Sequence, residues 1–314
     1  MTIIDYQLSI DIMQALPLFM LLMTIATCQA VESAGQPLRI VTGNTVCQDI
    51  AVHIGGEQAQ VTCLLQAGVD PHSYQPVPED VKRIAGARLV IINGLGFEGW
   101  FEGLAKEAGF RGTVVVASAG ITPLQMEDDD HPAVAGKANL VDDPHAFNAI
   151  SNGVRYAENI RDALSTADTA HADGYRARAT AYIAELRRAD AWARQEFAHI
   201  PRAQRRVVTN HDALQYFAKE YGFEIIAPNT ALEDSQPSAK DLAAIVDFIR
   251  KQQVKGVFFE FGKNEKVVAQ IAGEAGVKVG DELYLDGVGP ADTPAATYIG
   301  MFRSNVSAIV KGLQ

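Results

Sequence analysis

The tripeptide Asp-Pro-His occurs twice in this 314-residue chain, as Asp70-Pro71-His72 and as Asp143-Pro144-His145, each in a turn-rich stretch at the edge of an ordered segment. Proline fixes its own φ and drives the preceding residue toward an extended conformation, so the histidine that follows leaves a stiff corner. A stiffly presented imidazole suits a metal ligand. A third candidate, His211, stands in Thr209-Asn210-His211-Asp212, directly after the apolar pair Val207-Val208, which reads as the end of a strand. Each of these histidines has an aspartate close by, Asp70, Asp143 or Asp212, of the kind that orients a ligating ring through its second nitrogen. His53, His171 and His199 fall in helical patterns and are expected to face solvent.

Three imidazoles so far apart in sequence converge only if the fold brings them together. From Leu38 the chain alternates strand-like and helix-like stretches: strands at Leu38 to Val41, Ala59 to Leu65, Leu89 to Ile92 and Gly112 to Val116, with helices at Thr45 to Ile54 and Glu79 to Ala85. The same order returns with strands at Arg206 to Thr209, Glu224 to Ile226, Gly256 to Phe259 and Val277 to Val279. The expected architecture is α/β, with two similar lobes. Between them, from about Thr169 to Ile200, apolar or small residues recur at Tyr175, Ala179, Tyr182, Leu186, Ala189, Ala193 and Phe197, a spacing that lines one face of a helix. A helix of about 30 residues measures roughly 45 Å, enough to run along both lobes. The expected divisions are a signal peptide at 1–30, a first lobe at 31–168, a linking helix at 169–200 and a second lobe at 201–314.

Composition narrows the function. With 48% hydrophobic residues the chain can bury a substantial core, and a net charge of −11 without any Lys/Arg cluster excludes nucleic-acid binding. The apolar run Leu16 to Thr27, followed by small and polar residues through Cys28-Gln29-Ala30, reads as a secretory signal and places the protein in the periplasm. Cleavage after Ala30 is favoured over lipid attachment at Cys28. Cys47 and Cys63 would then remain, either as a disulfide or as two buried thiols. The acidic stretch Glu127-Asp128-Asp129-Asp130-His131 reads as a solvated loop that could also collect cations near a metal site.

Gly94-Leu95-Gly96-Phe97-Glu98-Gly99 has the glycine spacing of a dinucleotide-binding turn, but the following strand region, Thr113 to Ser118, carries no acidic residue to hold a ribose. Other pieces form a more specific set: Gly68-Val69-Asp70-Pro71-His72-Ser73-Tyr74-Gln75-Pro76, Asn93-Gly94-Leu95-Gly96-Phe97-Glu98-Gly99-Trp100, Asp143-Pro144-His145-Ala146-Phe147, Asn210-His211-Asp212-Ala213-Leu214 and Tyr284-Leu285-Asp286-Gly287. In this order they resemble the cluster A-I solute-binding proteins, the periplasmic metal-binding proteins of zinc and manganese ABC transporters.

The resemblance implies two α/β lobes joined by one rigid helix, with a single metal in the cleft. It matches His72 and His145 to the first lobe's ligands, His211 to the second lobe's ligand, and Asp286 to the carboxylate that completes the site. Manganese members usually carry a glutamate where this chain has His211. Three imidazoles and a carboxylate independently suit four-coordinate Zn²⁺. The expected function is therefore a non-enzymatic zinc-binding protein that hands Zn²⁺ to a membrane ABC permease for import, acting as a monomer, with a metallochaperone as a further candidate partner. Manganese binding within the same family is one alternative. A zinc hydrolase is another, since three histidines with an open position are catalytic geometry, but Asp286 as a fourth ligand would close that position.

Overall fold

The computed structural model describes residues 35–127, 139–209, 212–227, 239–263 and 265–314. The chain divides into a unit Met1–Leu38 and a unit Arg39–Gln314. The expected signal peptide at 1–30, Asp128 to His131 and His211 lie outside the described residues.

Strands β1 (Leu38–Thr42), β2 (Ala59–Cys63), β3 (Leu89–Ile92) and β4 (Thr113–Val116) form a sheet in the order β2-β1-β3-β4. β1 pairs with β3 and β3 with β4 in parallel, with Val41 opposite Val90 and Val90 opposite Val114. Short runs such as Leu-Val-Ile-Ile in β3 are apolar at successive positions because a parallel strand is covered on both faces. Their cover comes from α1 (Thr45–Gly55), α2 (Pro78–Gly86) and α3 (Phe101–Glu107), with Ile84, Phe101 and Leu104 buried against Val41 and Val90. A short antiparallel hairpin, β5 (Gln125–Glu127) and β6 (Leu140–Asp142), leads into the second Asp-Pro-His corner.

α4 (Ile150–Ala167), absent from the elements expected from sequence, packs along the linking helix α5 (Ala172–Ala198). At 27 residues, α5 spans roughly 40 Å. The helix begins just after the expected start at about Thr169, where Asp168 accepts from both His171 Nδ1 and Tyr175 Oη, each at 2.7 Å, and holds Thr169–His171 in a tighter 3₁₀ turn. Near its start Arg178 donates to the carbonyls of Ile54 and Gly55 at 2.7 and 2.9 Å, closing the C-terminal end of α1. Near its far end Phe197 packs edge-on against Phe217 and Phe223 and tilted against Tyr221. One helix thus packs on the surroundings of both sheets, and it contains no proline to mark a bend.

The second sheet comprises β7 (Arg206–Val208), β8 (Glu224–Ile226), β9 (Gly256–Val257) and β10 (Lys278–Val279), all parallel, in the order β10-β9-β7-β8. α6 (Gln215–Tyr221) follows β7, while α7 (Ala239–Lys251) and α8 (Glu265–Ala275) flank β9. Ile245, Ile249, Val257, Val268 and Ile271 make its core. The last helix, α9 (Tyr298–Leu313), packs on both α5 and β9. His53, His171 and His199 are exposed, as their helical positions imply. Cys47 and Cys63 are free thiols, Cys47 buried and Cys63 half-buried, and do not form the disulfide that was the other alternative. Burial pushes Cys63 up to about 11 and holds Cys47 well above the ordinary thiol value.

Candidate metal centre

The two Asp-Pro-His corners are built alike. In each, the aspartate Oδ1 accepts the backbone N–H of the histidine two residues on, at 2.9 Å, closing a side-chain turn around the proline. Each proline carbonyl in turn accepts a side-chain N–H from one stretch, 93–100: Trp100 Nε1 donates to Pro71 and Asn93 Nδ2 to Pro144, both at 2.8 Å. The glycine spacing of that stretch serves its own turn. Gly94 and Gly96 have φ of 85° and 86°, and Leu95 shares the left-handed region at 57°. Buried Glu98 closes the turn, accepting from Asn93 N at 2.9 Å and from Asn44 Nδ2 at 2.7 Å. Burial raises its carboxyl to about 7 against the pull of those bonds.

The imidazoles face each other across a gap of metal size. Their Nε2 atoms are 3.3 Å apart, and Asp286 Oδ1 lies 3.4 Å from His145 Nε2 and 3.8 Å from His72 Nε2. A tetrahedral ion with bonds of about 2.0–2.1 Å sets its ligands about 3.3 Å apart. Among the described residues, His72, His145 and Asp286 are the grouping able to hold an ion, with all ligand atoms within 4.8 Å of one another. His145 is 1% exposed, and its Nδ1 donates to Asp143 Oδ1 at 2.9 Å, which turns Nε2 toward the gap. Burial works against charge on this ring, but the hydrogen bond to Asp143 and the proximity of Asp286 outweigh it and raise its pKa to about 9. Phe97, fully buried, sets its ring edgewise to His72 and His145, at centroid distances of 4.9 and 5.8 Å, and walls the centre with apolar surface.

Asp286 arrives on a segment fixed from several sides. Asn305 on α9 pins Tyr284, accepting from its N–H at 2.9 Å and donating to its carbonyl at 2.8 Å. Asn148, just after His145, donates to Leu285 O at 2.9 Å and to Ala213 O at 3.0 Å. That second bond joins the His145 corner to the segment following His211. Tyr216 on α6 adds another tie, donating to Asp143 O at 2.8 Å and accepting from Leu124 N at 3.0 Å.

Of the residues expected from sequence, His72, His145 and Asp286 come together, while His211 lies outside the described residues. The three neighbouring aspartates differ in role. Asp143 orients a ring, Asp70 holds the backbone of His72, and Asp212 accepts from Gln215 Nε2 at 2.6 Å. Asn93, Glu98, Trp100 and Asn148 have supporting roles that residue type and spacing alone did not suggest. Of the acidic loop, Glu127 is described and ends β5.

Residues 40–312 match the family described as zinc-uptake complex component A, periplasmic. The manganese-binding lipoprotein MntA of Bacillus subtilis is 35% identical over 293 residues, covering 92% of this chain and 94% of its own. The iron-binding protein YfeA of Yersinia pestis is 34% identical over 281 residues, covering 90% and 88%. In structure, the periplasmic zinc-binding protein TroA of Treponema pallidum superposes with a TM-score of 0.76 at 26% identity, covering 89% of this chain and 99% of its own. The paired sheets, the long helix and the His–His–Asp gap agree with this likeness: the chain belongs to the periplasmic zinc-uptake component A family, metal-binding solute-binding proteins of ABC transport rather than enzymes.

Proposed function

We propose that this protein captures Zn²⁺ outside the cytoplasmic membrane and delivers it to an ABC permease, with His72, His145, His211 and Asp286 as ligands. The observation that carries the reading is the convergence of two imidazole Nε2 atoms and a carboxylate oxygen at 3.3–3.8 Å in a cleft where His145 is wholly buried. His211 would supply a third nitrogen, and a nitrogen-rich set of four suits zinc better than manganese. The lobes are taken as 31–168 and 201–314, on either side of a helix at 169–200. Lipid attachment at Cys28, placed second to cleavage after Ala30 on sequence grounds, gains weight because the Bacillus subtilis relative is named a lipoprotein.

Manganese or iron as cargo is the second reading, favoured by the names of MntA and YfeA. Zinc outcompetes manganese at most nitrogen and oxygen sites, so a bare preference for zinc does not decide between them. The ratio of affinities does. Titration of the metal-free protein with each ion should give one zinc per chain and zinc binding tighter by at least about 10³, or roughly 4 kcal/mol. Manganese binding within about tenfold of zinc would replace the zinc reading. His211→Glu should narrow the ratio by strengthening manganese.

A further inference from the structure

Beside the ligands lies a cleft of about 270 Å³, bordered by Asp70, Ser73, Glu260, Lys263 and Asp286. Lys263 is the cation of that group. Its Nζ lies 3.0 Å from Asp70 Oδ2, with the two side chains only 16% and 26% exposed. Asp70 uses its other oxygen to hold the N–H of His72. One carboxylate therefore links the ammonium to the backbone of a proposed ligand.

The turn carrying Lys263 is pressed against the loop carrying His72. A Cβ placed on Gly68 would meet Phe261 at 2.8 Å, and one on Gly262 would meet the Gly68 carbonyl at 3.2 Å, so both glycines permit a close approach. Phe261 stacks on Tyr284 at 5.1 Å, and its N–H donates to Leu283 O at 2.8 Å, tying the same turn to the Asp286 segment. Burial opposes charge on Lys263, but the bond to Asp70 and the nearby charges of Glu260 and Asp286 outweigh it and hold the ammonium protonated.

We propose that Lys263 is a positioning residue, a resident cation that keeps the His72 loop docked on the Asp286 segment when the centre holds no metal. Without it, Asp70 would face the charge of Asp286 without the ammonium that now lies 3.0 Å from it. With it, the loop is already arranged when an ion arrives, and less order has to be gained on binding. The inference rests on the metal-centre reading above.

The test is hydrogen–deuterium exchange over residues 66–76, with and without Zn²⁺. In metal-free Lys263→Met, exchange should rise by at least about tenfold, and zinc should restore protection because the ion then holds His72 itself. Lys263→Arg should preserve protection. Asp70→Asn, which breaks the pair from the other side and serves if Lys263→Met does not fold, should reproduce the metal-free loosening, and the double variant should add nothing. Unchanged exchange in metal-free Lys263→Met, or a rise that zinc does not reverse, would overturn the proposal, as would additive effects. His72→Ala and Asp286→Asn, titrated with Zn²⁺ in parallel, keep the two readings apart. Wild-type affinity in both would defeat the metal centre itself. Loss of binding in them, together with unchanged exchange in Lys263→Met, would defeat only the role of Lys263.

Discussion

The two Asp-Pro-His corners share a backbone device and differ in what surrounds it. His145 is 1% exposed, and Asp143 grips both its N–H and its ring. The His72 side chain is 36% exposed; Asp70 holds its N–H and spends its second oxygen on Lys263. One corner fixes a ring within the core, whereas the other fixes a loop at the cleft's edge. A carrier must bind tightly and still release. If both histidines are ligands as proposed, a division between an anchored one and a reachable one meets both needs, because exchange can begin at the reachable one.

The strongest test of that contrast removes each ring. His145→Ala is expected to weaken zinc binding by about 10³, roughly 4 kcal/mol, because it deletes a ligand and leaves the fully buried Asp143 without its imidazole. His72→Ala, at an exposed site that water can fill, should cost about tenfold less. Competition with a chelating dye would measure both. Equal losses would mean that burial does not distinguish the corners.

Acidity probes the anchored corner next. His145 must be neutral to coordinate, and its pKa is raised to about 9 in the metal-free fold against an ordinary value of about 6.5. Zinc is therefore expected to displace a proton at neutral pH, and affinity should climb by up to about tenfold per pH unit until it levels off near 9. Stability of the metal-free protein runs the other way. A raised folded-state pKa contributes stability that is complete below about 6.5 and lost as pH rises through 9. Zinc affinity that is flat from pH 6.5 to 9, measured by calorimetry, would break the coupling between the buried ring and its carboxylates.

The two corners and most strands were legible in the sequence, whereas the difference in enclosure between the corners was not, for physical reasons. The corners announce themselves because proline and histidine act on their nearest neighbours, and the strands do so because each apolar run ends at turn residues. α4 escapes notice because part of its buried face is Gly153, Ala157 and Ser165, which carry little hydrophobic signal. Lys263 and Asn148 act on partners 193 and 137 residues away, at separations where no local pattern can pair them. The stretch 93–100 shows an intermediate case. Its glycine spacing is visible in sequence, but only the fold reveals that Asn93 and Trp100 reach the two proline carbonyls.

The aspartates sharpen the comparison on a smaller scale. Asp143→Asn keeps the shape but lets the amide offer an N–H to Nδ1, which favours the tautomer with its proton on Nε2, facing the metal. A loss of about 10–100-fold in zinc affinity is expected. Asp70→Asn leaves the His72 ring untouched and should cost the zinc-loaded state little more than one hydrogen bond, about 1 kcal/mol. Parallel zinc titrations would show the difference. Comparable losses would place Asp70 in control of ring orientation.

The smallest expected effect comes from the donors that hold the proline carbonyls. Trp100→Phe removes the N–H that reaches Pro71 O while keeping an aromatic ring beside Tyr74, whose centroid lies 5.1 Å away. Pro71 is itself buried, but the bond it receives is only partly so and its corner opens at the exposed His72, so destabilisation should stay near ~1 kcal/mol with little change in zinc affinity. Asn93→Ala acts on the buried corner. It frees Pro144 O and also deprives the Tyr156 hydroxyl of the oxygen it reaches at 2.6 Å, inside a core where Tyr156 is wholly enclosed. Buried groups left without partners cost about 1–3 kcal/mol each, so Asn93→Ala should be clearly the less stable variant. Denaturant titration of the two metal-free variants gives the ordering directly. If Trp100→Phe proved as damaging as Asn93→Ala, the two corners would be equally enclosed, and the division between anchor and exit would have to be abandoned.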